Sequence, residues 1–191
     1  MARRFLGRVI LLRHGQSECT NVYPDITDEG METITKSANS IKPLLGNNPN
    51  VVIITSPMAR AKGSADIIAK TIGYSGIIKE APAIRIESIS KIRKIFFEYF
   101  ARMVKCLLKN GKVPLNLICV SHLETLYHFV DQLPELDYKN NPLDHGEIIE
   151  VSVFDIGIDN TRVVEIEVTF RKKTIGRTKR ILFDYEELII R

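Results

Sequence analysis

Three short apolar runs constrain this chain more than any other feature. They are residues 7–12 (Gly-Arg-Val-Ile-Leu-Leu), 51–55 (Val-Val-Ile-Ile-Thr) and 115–120 (Leu-Asn-Leu-Ile-Cys-Val). Each is too short for a helix and too uniformly apolar for a strand with one wet face. That is the pattern of strands buried on both faces. Helix signals fall between them. Thr27 precedes the acids Asp28 and Glu29, predicting a helix from about 28 to 45 that stops at Gly46-Asn47-Asn48-Pro49. Residues 58–72 read as a second helix closed by Gly73, 91–109 as a long amphipathic one, and 123–133 as a last one. Residues 77–86 hold one or two short extended pieces. Residues 147–154 and 162–170 alternate like strands around a turn at 157–160, and an apolar piece, 181–190, closes the chain.

Strands alternating with helices predict an α/β fold: three layers, with a largely parallel central sheet flanked by helices and extra C-terminal strands. The 191 residues make one domain, 1–191, in which 147–191 is a strand-rich C-terminal extension. In such sheets ligands bind beyond the carboxyl ends of the strands.

Charge and cysteine usage narrow the function classes. Lys+Arg number 27 and Asp+Glu 23, a net charge of +4. Six of the cations, Arg171, Lys172, Lys173, Arg177, Lys179 and Arg180, crowd one late stretch. Without interleaved aromatics this reads as a solvated hairpin face rather than a nucleic-acid surface. Cys19, Cys106 and Cys119 are far apart and show no metal-ligand spacing, so reduced thiols in a cytoplasmic protein are expected. The apolar N-terminal stretch is broken by Arg8 and ends at Arg13, too short for a membrane span.

Each buried strand ends in a polar group of a suggestive kind: Arg13-His14-Gly15, then Ser56-Pro57 with Arg60 close behind, then Ser121-His122. If the strands are parallel neighbours, two arginines and two histidines converge on one rim. Two guanidiniums repel unless an anion lies between them, and the planar Arg fork matches phosphate oxygens. A neutral imidazole can attack phosphorus, and a protonated one can bind its oxygens. For both rings to flank one phosphate they must lie within about 10 Å of each other. No metal or cofactor is required.

These blocks carry a family resemblance. Leu11-Leu12-Arg13-His14-Gly15-Gln16-Ser17-Glu18 resembles the Arg-His-Gly signature of the histidine phosphatase superfamily, the phosphoglycerate mutase-like family. Ser56-Pro57-Met58-Ala59-Arg60-Ala61 is similar to its second block, Cys119-Val120-Ser121-His122 to its third, and Asp25-Ile26-Thr27-Asp28-Glu29-Gly30 to its helix start. The four blocks span residues 8–130 in the family's order. The resemblance implies that His14 becomes phosphohistidine and that Arg13, Gly15, Arg60 and His122 hold the phosphate, with His122 also acting in catalysis. It implies a carboxylic acid for the leaving group: Glu87 first, Glu124 as competitor and Glu80 third. Gln16, Thr20 and Asn21 are possible substrate contacts. Thr20 stands where the family often has Asn, and the Gly-x-Trp-Glu-Gly stretch that commonly follows the acid is absent. His128 and His145 match no motif and read as structural or surface groups.

The reading is therefore a phosphomonoester hydrolase with a small phosphorylated substrate or a phosphoprotein, and no membrane partner. Alternatives are a phosphoglycerate mutase-type phosphotransferase, a protein phosphohistidine phosphatase, and a non-catalytic module that binds phospho-ligands or RNA. The oligomeric state is open.

Overall fold

In the computed structural model, which describes residues 3–18, 23–46, 50–84, 114–130, 142–156 and 163–181, the three apolar runs are adjacent parallel strands. β1 (Arg4–Arg13) lies between β4 (Leu115–Ser121) and β5 (Ile148–Asp155). β2 (Asn50–Thr55) pairs with the other side of β4 and carries the two-residue β3 (Lys79–Glu80) at its free edge. β6 (Val163–Phe170) and β7 (Lys173–Ile181) extend the opposite side, giving the order β3-β2-β4-β1-β5-β6-β7. The expectation of a largely parallel sheet is corrected. The pairings from β3 to β1 are parallel, but those from β1 to β7 are antiparallel, so the sheet is mixed. The physical reason lies in the connections: β5, β6 and β7 are joined by links too short for a parallel crossover, so they fold back on each other.

Alternation along β1 explains its uniform apolarity. Ile10 and Leu12 face one core, packed with Ile34, Ala38 and Ile41 of α1 (Asp28–Leu45) and with Ala61, Ala65 and Ile68 of α2 (Ala59–Ile72). Val9 and Leu11 face a second core with Leu117, Cys119, Val151 and Val153. Ile84, Leu143 and Leu126, the last from α3 (Leu123–Val130), close over that side. The helix expected at 91–109, which would complete a third layer, lies outside the described residues, as does the turn at 157–160. Gly7 is the one position where β1 needs a glycine. Its φ is +154°, and a Cβ there would collide with the Leu115 carbonyl oxygen on β4.

Two element readings sharpen. Residues 77–84 hold one short extended piece, β3, and a 3-10 turn, Pro82–Ile84. The basic stretch forms the β6–β7 turn and strand β7, the hairpin face expected of it. One of its cations is paired sideways: Arg177 donates to Glu167 of β6 at 2.7 Å, a carboxylate that Arg3 also bridges at 2.9 Å. Cation-rich edge strands resist pairing with other chains. The β6–β7 turn puts Arg171 (φ 47°) and Lys172 (φ 62°) in left-handed geometry, a place that favours Asn-Gly. Among the described residues, no helix is long and apolar enough to cross a membrane.

Candidate active site

The carboxyl ends of β1, β4 and β2 are laced together by backbone bonds: His14 N donates to Ser121 O and Ser56 N to Val120 O, both at 3.0 Å. This register sets His14 and His122 side by side, with ring centroids 5.0 Å apart, well inside the limit for flanking one phosphate. Both are buried, at 6% and 1% exposure.

The protonation of His14 follows from its partners. Nδ1 lies 2.7 Å from the Gly15 carbonyl, which only accepts, so Nδ1 carries the proton and Nε2 presents its lone pair. Arg60 Nε donates to that lone pair at 3.1 Å. Burial first, then the fields of His122, Arg60 and His145, pull the His14 pKa down to about 3 against the opposing pull of the Gly15 hydrogen bond. The ring is therefore neutral at ordinary pH, as a nucleophile must be.

This depression has a consequence for stability. The unfolded chain binds the proton at the ordinary pKa of 6.5 and the folded chain only near 3, so stability falls as pH drops through that window. Going from about pH 7.5 to about pH 4.5 is expected to cost about 2–3 kcal/mol through His14. Urea unfolding at the two values should show a smaller loss for His14→Gln than for the wild type; equal losses would contradict it.

His122 Nε2 sits 2.8 Å from Ser56 Oγ. Ser64 of α2 accepts from Gly15 N at 3.0 Å and donates to Arg60 O at 2.7 Å, tying the loop after β1 to the first turn of α2. Neither serine's positioning bond was foreseen from the sequence. Gly15 also has a packing role. A Cβ there would press on Ile26 Cδ1 (2.7 Å), Gly30 O (2.8 Å) and Ile34 Cγ1 (2.9 Å), so the glycine is demanded by close packing of α1. Gly30 reciprocates, because its Cβ would strike the Gln16 carbonyl. Gly30→Ala is expected to destabilise the fold by about 2–3 kcal/mol. A lower urea midpoint with an unchanged slope would register it.

Arg13 is engaged by the loop before β5. Nη1 donates to Leu143 O at 2.6 Å and Nη2 to His145 Nε2 at 3.0 Å. His145, set aside in the sequence reading, belongs to the cluster: its ring lies 5.4 Å from that of His14. The signal was indirect. β5 starts opposite the end of β1 (Leu12↔Ile148), which brings the preceding loop to the same rim. Three elements fix that loop. Gly146 N donates to Arg13 O at 3.0 Å, Ser37 of α1 donates to Gly146 O at 2.6 Å, and Arg171 of the β6–β7 turn donates to both Glu147 oxygens at 2.7 and 2.9 Å.

The other expected contacts are scattered. Gln16 is exposed, with its carbonyl accepting from Thr27 N at 3.0 Å. Glu124 is exposed in the first turn of α3, and Glu80 pairs with Lys62 at 2.6 Å. Glu87, Thr20, Asn21, Cys19 and Cys106 lie outside the described residues, as does the side chain of His128. Cys119 is a buried free thiol whose pKa burial pushes up. Among the described residues, no group of three or more His, Cys, Asp or Glu could hold a metal ion.

No family model and no curated protein matches the chain. Solved structures do. The protein histidine phosphatase SixA complexed with tungstate is 17% identical, over 88% of this chain and 96% of that one, with a TM-score of 0.55. Phosphoserine phosphatase from Entamoeba histolytica, in complex with 3-phosphoglyceric acid, is 18% identical over 76% and 90%, at 0.52. A mycobacterial glucosyl-3-phosphoglycerate phosphatase is 12% identical over 88% and 98%, at 0.61. The chain has the histidine phosphatase fold. Within that fold Arg13, His14, Arg60 and His122 stand together at one rim, at the ends of three parallel strands.

Proposed function

We propose that the chain is a phosphomonoester hydrolase that works through a phosphohistidine at Nε2 of His14. One observation carries this reading: a buried, neutral imidazole presents its bare nitrogen to Arg60 and lies against a second buried histidine. An entering phosphate takes over the Arg60 fork, and Arg13 and His122 bind the remaining oxygens. Nε2 attacks phosphorus in line while the ester oxygen leaves and takes a proton. Glu87 is the first candidate for that donor and Glu124 the second. Water then attacks the phosphohistidine, releasing phosphate and restoring the free ring. Comparable folds that carry tungstate and 3-phosphoglyceric acid support a phosphorylated ligand, either a small molecule or a phosphoprotein. The domain is taken as the whole of 1–191, acting in the cytoplasm.

Rapid quench into alkaline denaturant during turnover of a phosphomonoester is the test. A phosphoenzyme that is stable in alkali and lost in acid, mapped to His14 by mass spectrometry, is expected. Turnover without it, or phosphate on another residue, would overturn the mechanism. Positive charge at the phosphate comes from arginine and histidine, so turnover is expected to be unchanged by EDTA. Loss of activity with EDTA that a divalent ion restores would contradict this.

A further inference from the structure

The loop before β5 supplies a feature that the quartet alone does not explain. Arg13 cannot lose its proton, so at 3.0 Å it donates to His145 Nε2, and His145 holds its own proton on Nδ1. In the resting site Nε2 of His145 thus occupies one Nη of the arginine that is meant to bind phosphate. The ring is half-buried, 5.4 Å from the nucleophile, and its loop is anchored to β1, α1 and the β6–β7 turn. We propose that His145 is a third histidine of the phosphate site, which takes up a proton from the buffer when a phosphate dianion enters and releases Arg13 Nη2 to that anion. The inference rests on the function proposed above and deepens it: the site selects the dianion and completes its cationic wall only when the ligand arrives.

The charges around His145 set the sign. Burial, then Arg13 on β1 and Arg60 on α2, hold its pKa below the usual histidine value, while Asp144 beside it pulls the other way. Glu147 on the same loop is paired with Arg171, and His14 across the pocket is neutral. The free ring is therefore neutral near pH 7. A dianion placed between it and the arginines reverses the local field and favours the imidazolium. Once protonated, Nε2 is a donor and no longer accepts from Arg13, so both groups turn their hydrogens to the same oxygens.

Tungstate, a dianion across the neutral range, is the probe. Calorimetric titration of the full chain in two buffers of different ionisation enthalpy counts the protons taken up. The wild type is expected to gain about one proton per bound tungstate near pH 7. His145→Gln keeps an acceptor for Arg13 without a titrating group, and His145→Asn is a second such variant. Both are expected to lose most of that uptake, and their affinity is expected to fall less steeply as pH rises. Uptake equal to wild type in both variants, or no uptake in the wild type, overturns the role of His145 while leaving the phosphatase reading standing. A wild type that binds no tungstate overturns the phosphatase reading, and this inference with it.

Discussion

His14→Ala is expected to lower kcat by roughly 10⁴-fold or more, within the range seen when a covalent nucleophile is removed. Tungstate affinity should fall far less. Most of the charge that holds the anion belongs to Arg13 and Arg60, and the ring removed is neutral. Steady-state kinetics and tungstate titration on the same preparation separate the two effects. Turnover near that of wild type would exclude His14 as the nucleophile. An equal collapse of binding and turnover would mean that the ring organises the pocket rather than reacting in it.

Arg60→Ala is expected to lower kcat/KM by about 10²–10³-fold, the usual cost of removing a donor aimed at charge that develops in the transition state. It should also change the free enzyme. Arg60 both caps Nε2 at 3.1 Å and holds the His14 pKa down by its charge, so in the variant that pKa rises toward the ordinary value. A histidine-resolved NMR titration reads the shift. Arg60→Lys should recover only part of the rate, because an ammonium cannot span two phosphate oxygens as the planar fork does. Full recovery by lysine would mean that Arg60 acts through charge alone.

Much of the fold was legible because burial on both faces writes itself directly into sequence. Runs such as Val9-Ile10-Leu11-Leu12 admit few other readings, and Thr27 with its following acids marks α1 to the residue. The quartet was legible for the same reason, since a strand's end is where its apolar run stops. What pattern could not show was pairing direction. Nothing in 147–154 says that β5 runs antiparallel beside β1, and without that fact His145 has no reason to meet His14. β7 could be read only as a basic hairpin face, because its cations leave no apolar alternation to mark the strand; of these, Arg177 answers to Glu167 on the neighbouring strand. Gly15 was placed among the phosphate-holding residues, and pattern alone could not show that its missing Cβ faces Gly30 and Ile34 of α1, a contact distant in sequence.

The β6–β7 turn also changes what counts as remote. Arg171 is exposed, sits in a left-handed conformation that a side chain adopts at a cost, and lies two strands away from β1. Yet its guanidinium grips Glu147 and reaches the Pro142 carbonyl, and the segment between those two residues carries both Leu143 and His145, the partners of Arg13. Substitutions sorted by distance from the reacting nitrogen would place this turn among the neutral ones. The covalent map and the mechanical map of the molecule differ here. A tether at the sheet's far side holds the pocket wall, and loss of Arg171 is expected to loosen Leu143 and His145 around Arg13 without touching the His14 ring.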